Sequence, residues 1–215
     1  MPATRILHLG TSNSGKIAEM AALLAPLGWG LAPVRAGDEV PEVGRTFEEN
    51  SAAKALAWAD RVQGLTLSDD SGLAVTALEG LPGVWSARFA DLDLATRGIH
   101  SSGRSREEMD AANNQRVLSL LEGVPQPRRA AVMMVVVTLA RPGEVLFSAS
   151  GECHGWIETE PRGRYGFGYD PIFVGQDTFG RTFAELDPMR KNLRSHRKRV
   201  LDQLFMWLSQ NGEGL

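Results

Sequence analysis

The run Ala130-Ala131-Val132-Met133-Met134-Val135-Val136-Val137-Thr138-Leu139 is the most apolar stretch in the chain, and Arg141-Pro142-Gly143 separates it from a second β-rich run, Val145 to Ile157. It is too short to span a bilayer and is rich in β-branched residues, so it reads as a buried strand. Two long strands joined by so short a turn form a hairpin and must be antiparallel. The N-terminal region adds a different unit. Ile6 to Leu9 reads as a strand, Gly10 and the polar residues Thr11 to Gly15 as a loop, and Ile17, Met20, Leu23, Leu24 and Leu27 as one face of a helix that Gly28 ends. A strand–loop–helix unit beside a hairpin predicts an α/β fold with a mixed central sheet flanked by helices.

Further elements fit this class. Thr46-Phe47-Glu48-Glu49 and Ser105-Arg106-Glu107-Glu108 have the spacing of capping boxes. The first predicts a helix from Phe47 to about Val62, with Gly64 beyond it; the second predicts a helix through Val117, Leu118 and Leu121. Leu65-Thr66-Leu67 reads as a short strand that delivers Asp69 and Asp70 at its carboxyl end, where open α/β sheets bind ligands. Residues 91–104 read as a mobile loop. With no internal repeat and no low-complexity linker, the 215 residues are expected to form one domain, 1–215.

The formal net charge of −3 gives no basic excess for binding a nucleic-acid backbone, so no nucleic acid is expected as a partner. A single cysteine, Cys153, excludes an internal disulfide and a cysteine-rich metal site. No apolar N-terminal segment reads as a signal peptide, and no membrane association is expected. These features point to the cytoplasm.

The chemistry-bearing residues fall in a few segments. Gly10-Thr11-Ser12-Asn13-Ser14-Gly15-Lys16 fits the first seven positions of a P-loop, but Ile17 stands where that motif needs a hydroxyl for Mg²⁺. A helix N-terminus with small polar residues and one ammonium can hold a phosphate; on its own the loop fits an ordinary capped turn equally well. Glu42 and the pair Asp69-Asp70 are hard oxygen ligands suited to Mg²⁺. If Asp69 and Asp70 continue a strand they point to opposite faces, so one can reach a metal while the other anchors the loop. Tyr165-Gly166-Phe167-Gly168-Tyr169-Asp170 combines glycines that admit a ligand with aromatic faces that stack on a base, or else packs its aromatics into the core. Asp187-Pro188 starts a helix. On one continuous helix Lys191 and His196 would lie about 140° apart. A break near Ser195 resolves this, placing His196 and Arg197 in the first turn of a final helix, where cations oppose the dipole.

Together these segments resemble the inosine triphosphate pyrophosphatase family almost end to end. The resemblance rests on Thr11 to Glu19, Thr46 to Asn50 with Lys54, Ser68 to Leu73, Pro82 to Arg88, Gly166 to Pro171, and Ser195-His196-Arg197. It implies two lobes around a substrate cleft, a homodimer, and Mg²⁺-dependent hydrolysis of ITP, dITP and XTP to the monophosphate and pyrophosphate. By position it makes Asp70 the proton acceptor, Glu42 and Asp70 the metal ligands, and Asp69 a further contributor to the metal. Thr11, Ser12, Asn13, Ser14, Gly15, Lys16, Lys54, Ser71 and Lys191 would bind the phosphates and sugar. Phe167, Gly168, Tyr169, Asp170, His196 and Arg197 would surround the base. Met189-Arg190 stands where relatives commonly carry acidic residues, which leaves the partner of Lys191 open. Two alternatives are a pyrophosphatase of the related Maf type and a catalytically silent nucleotide-binding protein. Ser195-His196-Arg197 argues against the first, and the retained Glu42, Lys54, Asp69 and Asp70 against the second.

Overall fold

The computed structural model describes residues 5–35 and 40–212. Six strands form one mixed sheet in the order β2-β1-β3-β4-β5-β6: β1 Ile6–Leu9, β2 Gly30–Pro33, β3 Thr66–Val75, β4 Ala130–Arg141, β5 Glu144–Ile157 and β6 Phe173–Gly175. β1 runs parallel to β2 and β3, whereas β5 and β6 are antiparallel. Among the described residues five α-helices accompany them: α1 Ser14–Leu24, α2 Phe47–Val62, α3 Arg106–Leu120, α4 Pro188–Asn192 and α5 His196–Asn211. No helix among the described residues is long and apolar enough to cross a membrane.

Local signals set the helix ends. Thr46 accepts from Glu49 N at 3.1 Å, and Glu49 reaches back to the Arg45 N–H rather than to that of Thr46. Ser105 and Glu108 form the full reciprocal capping box. Asp187 caps α4 with Pro188 at its first position, and the chain breaks before α5, as the Lys191–His196 angle requires. The segment expected to be mobile is tied to Asp91, which accepts from Ser102 N and Oγ and from Arg104.

The chain divides into two compact units, each with its own core. The first holds the residues up to Asp70, Val135–Gly151 and the chain from His196 onward. Here alternation along β4 decides what covers what. Val135, Val137 and Leu139 pack with Leu7, Leu9 and Leu67, with Met20 and Leu24 of α1, and with Val200, Leu201, Leu204 and Leu208 of α5. Ala140 packs with Ala55 and Ala59 of α2, and Thr138 Oγ1 accepts from Ser51 Oγ of α2 at 2.9 Å. Helices thus cover this part of the sheet with α1 and α5 on one face and α2 on the other.

The second unit holds Ser71–Met134 and Glu152–Ser195. Its core gathers Leu73 and Val75 of β3, Met133 of β4, Ile157 of β5, Val117 of α3, and Phe89, Phe173 and Phe183. Cys153 is buried in this core on β5.

Candidate active site

β3 is longer than the sequence predicts. It does not end at Leu67; Asp69, Asp70, Ser71 and Gly72 are all strand residues. Pairing with β1 covers only Thr66 and Leu67, and Gly10 N donates to Leu67 O at 2.8 Å as the β1 chain turns away. The carboxylates therefore still lie just past the carboxyl end of the parallel β1–β3 pair, the position expected of a ligand site.

The loop after β1 is closely built. A Cβ on Gly10 would stand 2.0 Å from Ser68 Oγ and 3.2 Å from the Trp58 ring, so glycine lets the chain pass without displacing Ser68. Thr11 Oγ1 accepts from Asn13 N, and Asn13 caps α1 by accepting from Gly15 N and Lys16 N. Ser12 is half-buried and Ser14 exposed. Lys16 is not a solvated lysine: its Nζ lies 3.1 Å from Asp69 Oδ2.

Consecutive strand residues face opposite ways, and each carboxylate meets a different set of partners. Asp69 is fully buried, and its Oδ2 receives Lys16 at 3.1 Å and Arg197 Nη2 at 3.1 Å. Arg197 also donates to Glu19 Oε2 at 2.7 Å. Burial alone would raise the Asp69 carboxyl, but Lys16, Arg197 and Lys54 outweigh it and hold the group well below the usual carboxylate range. Burial lowers the Lys16 ammonium, with Lys54 and Arg197 adding to the effect of desolvation. Arg197 goes the other way, because Asp69 and Glu19 more than offset its burial. The two carboxylates answer the conflict between a cation and the N-terminus of α5.

Asp70 belongs to another set. Its Oδ2 accepts from Asn50 Nδ2 at 2.9 Å, and its Oδ1 lies 3.6 Å from Lys54 Nζ, which contacts Glu42 Oε1 at 2.5 Å. Burial, reinforced by the Glu42 charge, pushes the Asp70 carboxyl above the ordinary aspartate value, although Lys54, Lys16 and Asn50 pull against it. Burial draws Lys54 down, yet Glu42, Asp70 and Asp69 together hold it above the ordinary lysine value.

Glu42 and Asp70 already share one cation, the Lys54 ammonium, and both offer hard oxygen donors. No three His, Cys, Asp or Glu side chains among the described residues form a ready metal cluster. Two carboxylates fit Mg²⁺, which uses one or two protein carboxylates with waters and substrate phosphates. Asp69 is differently placed: Oδ2 serves two cations, and its buried Oδ1 has no hydrogen-bond partner.

In the second unit, Asp170 Oδ2 accepts from Phe167 N at 2.8 Å and from Lys191 Nζ, and that ammonium lies 4.6 Å from the centre of the Phe167 ring. Asp170 is thus the partner that the residues before Lys191 do not supply. Gly166 has φ +79°, and a Cβ there would meet Asp170 Oδ2 at 2.0 Å. Tyr169 is a core residue whose hydroxyl donates to Ser86 O at 2.8 Å, and burial keeps that phenol neutral. Gly168 is held by Asp110 and Asn114 of α3. Ser71 is half-buried on β3, and His196 is buried at the start of α5.

Sequence reasoning missed Glu19, Asn50, Asp110 and Asn114 as partners of the site. Glu19 gave a signal: it is a carboxylate between apolar-face residues Ile17 and Met20. Asn50 directly follows the capping box that starts α2, but nothing local assigns its amide to Asp70.

The chain matches the model of the Ham1 family over residues 7–207. It is 44% identical to a dITP/XTP pyrophosphatase of Desulforamulus reducens across 95% of this chain and 96% of the relative. It is 43% identical to a dITP/XTP pyrophosphatase of Geobacter sulfurreducens across 96% of this chain and 98% of that protein. Among solved structures, the HAM1 protein from Coxiella burnetii superposes with a TM-score of 0.78 and 36% identity, covering 96% of this chain and all of the other.

Proposed function

Since the chain belongs to the Ham1 family, we propose that it hydrolyses ITP, dITP and XTP to the nucleoside monophosphate and pyrophosphate with the help of Mg²⁺. The names of its relatives support the substrate class, and one family model matching residues 7–207 supports a single catalytic domain. The resemblance supports a homodimer, and a substrate drawn from the nucleotide pool supports the cytoplasm.

The observation that carries the reading is the placement of Asp70: its carboxylate lies just past the end of the parallel β1–β3 pair, oriented by Asn50 Nδ2 at 2.9 Å and by Lys54 Nζ at 3.6 Å, with Glu42 on the same ammonium. Glu42 and Asp70 would hold the metal, which when bound neutralises the triphosphate and stabilises the departing charge. Asp70 orients water for in-line attack on phosphorus and accepts its proton. The new P–O bond forms as the α–β anhydride bond breaks, and its electron pair leaves on pyrophosphate. No covalent intermediate is needed.

Thr11 to Lys16, Lys54, Ser71 and Lys191 are assigned to the phosphates and sugar, with Lys16 exchanging its contact to Asp69 for one to phosphate. Phe167 to Asp170 and His196 are assigned to the purine. A 6-keto purine offers an acceptor where adenine offers a donor, so a donor set against that edge, the role assigned to His196, leaves adenine unpaired. Arg197 is assigned to hold Asp69 and Glu19 rather than to meet the base directly, because both carboxylates already engage its guanidinium. The test is pyrophosphate release by the purified chain with Mg²⁺. We expect kcat/KM for dITP and XTP to exceed that for dATP by about 10²-fold or more. Equal turnover of all three would refute the selectivity, and no pyrophosphate from any would refute the activity.

A further inference from the structure

Gly168 sits in the left-handed region, with φ +60°, between Phe167 and Tyr169. Glycine is the residue with the most backbone freedom, so a loop that presents an aromatic from such a position needs something to hold it. α3 supplies this. Asp110 Oδ2 accepts from Gly168 N at 2.8 Å, and Asn114 Nδ2 donates to Gly168 O at 2.9 Å. That N–H and that C=O belong to the two peptide planes flanking the Gly168 Cα, so gripping both fixes its φ and ψ.

The two gripping residues are four apart and share one face of α3. Asn114 is buried and its own Oδ1 lacks a hydrogen-bond partner, a cost tolerated at the one place where its donor reaches Gly168. Its neighbour on α3 is engaged elsewhere, since Asn113 donates to Ser86 O and accepts from Ala90 N. Beyond the grip, Phe167 N is held by Asp170, whose carboxylate also takes Lys191 beneath the Phe167 ring.

We propose that Asp110 and Asn114 are positioning residues for nucleobase recognition, acting by locking Gly168 and so fixing the Phe167–Asp170 loop. This rests on the reading of that loop as the purine site. Neither side chain needs to touch the nucleotide. Losing the clamp should weaken base recognition and leave the phosphate chemistry alone.

The test compares Asp110→Ala, Asp110→Asn and Asn114→Ala with the wild type, by steady-state kinetics on dITP and dATP and by inhibition with inorganic tripolyphosphate, which has no base. The alanine variants should raise KM for dITP about tenfold, with kcat within about twofold, and narrow the dITP/dATP ratio. Tripolyphosphate inhibition should be unchanged. Asp110→Asn keeps an acceptor oxygen for Gly168 N and should restore KM to near the wild-type value. If Asn114→Ala fails to fold, Asp110→Ala, whose native side chain is 16% exposed, carries the comparison. Unchanged KM in the folded variants, an equal loss of tripolyphosphate affinity, or Asp110→Asn behaving like Asp110→Ala would overturn the clamp. A wild type that turns over no dITP would instead overturn the parent reading, and the clamp with it.

Discussion

Asp69 and Asp70 are consecutive residues of one strand, yet the surroundings of the first are those of a structural anion and the surroundings of the second those of a base. Around Asp69, Lys16 and Arg197 supply compensating charge from α1 and α5, and the carboxyl is held far down. Around Asp70, burial and Glu42 push up against Lys54, the more distant Lys16 and one amide. Residue type and depth of burial are nearly the same; the balance of charge decides. A strand is well suited to this division, because its alternation sends neighbours to opposite faces where different helices wait.

The sharpest way to break the comparison is to neutralise each carboxylate in turn. Asp70→Asn should lower kcat by about 10³-fold, the scale of a lost general base, while the thermal midpoint holds or rises because a disfavoured charge has been removed. Near-normal turnover would take the base role from Asp70. Asp69→Asn should instead cost about 3 kcal/mol of stability in urea unfolding, because it leaves Lys16 and Arg197 buried without their shared counter-charge. Its pH dependence should differ as well. A depressed folded pKa contributes stability above the unfolded aspartate value of about 3.9, and that stability is lost as pH falls below it. The wild type should therefore show an acid-side slope that Asp69→Asn has lost. Asp70 has the opposite sign: its raised folded pKa contributes stability at low pH that is lost as pH rises through that value. A smaller effect sharpens the contrast. In Lys54→Met, the acid limb of kcat/KM should move to higher pH, because the main charge opposing the rise is gone. A limb that stays in place would mean that Lys54 does not tune Asp70.

Much of the fold could be read from the sequence because its signals are local. Thr46, Ser105 and Asp187 each start a helix by satisfying nearby N–H groups, and the β4–β5 hairpin is announced by its turn. The end of β3 could not be read, since two adjacent carboxylates look like the place where a strand stops until Lys16, Arg197, Asn50 and Lys54 are brought to them from distant parts of the chain. The site was legible as a set of segments but not as pairs. The partnership of Arg197 with Asp69 spans 128 residues, and that of Asn114 with Gly168 spans 54. No spacing rule reaches so far. The one conflict that was visible, a cation in the first turn of α5, did mark the place where Arg197 meets Glu19 and Asp69.

The division between the two carboxylates can be observed directly by ¹³C NMR titration of aspartate-labelled protein, with Asp69→Asn and Asp70→Asn supplying the assignments. The expected result is an Asp70 carboxyl that titrates above the ordinary aspartate value and an Asp69 carboxyl that stays ionised down to the acid limit of the folded state. Two carboxyls titrating together, or Asp69 taking up its proton first, would contradict the account.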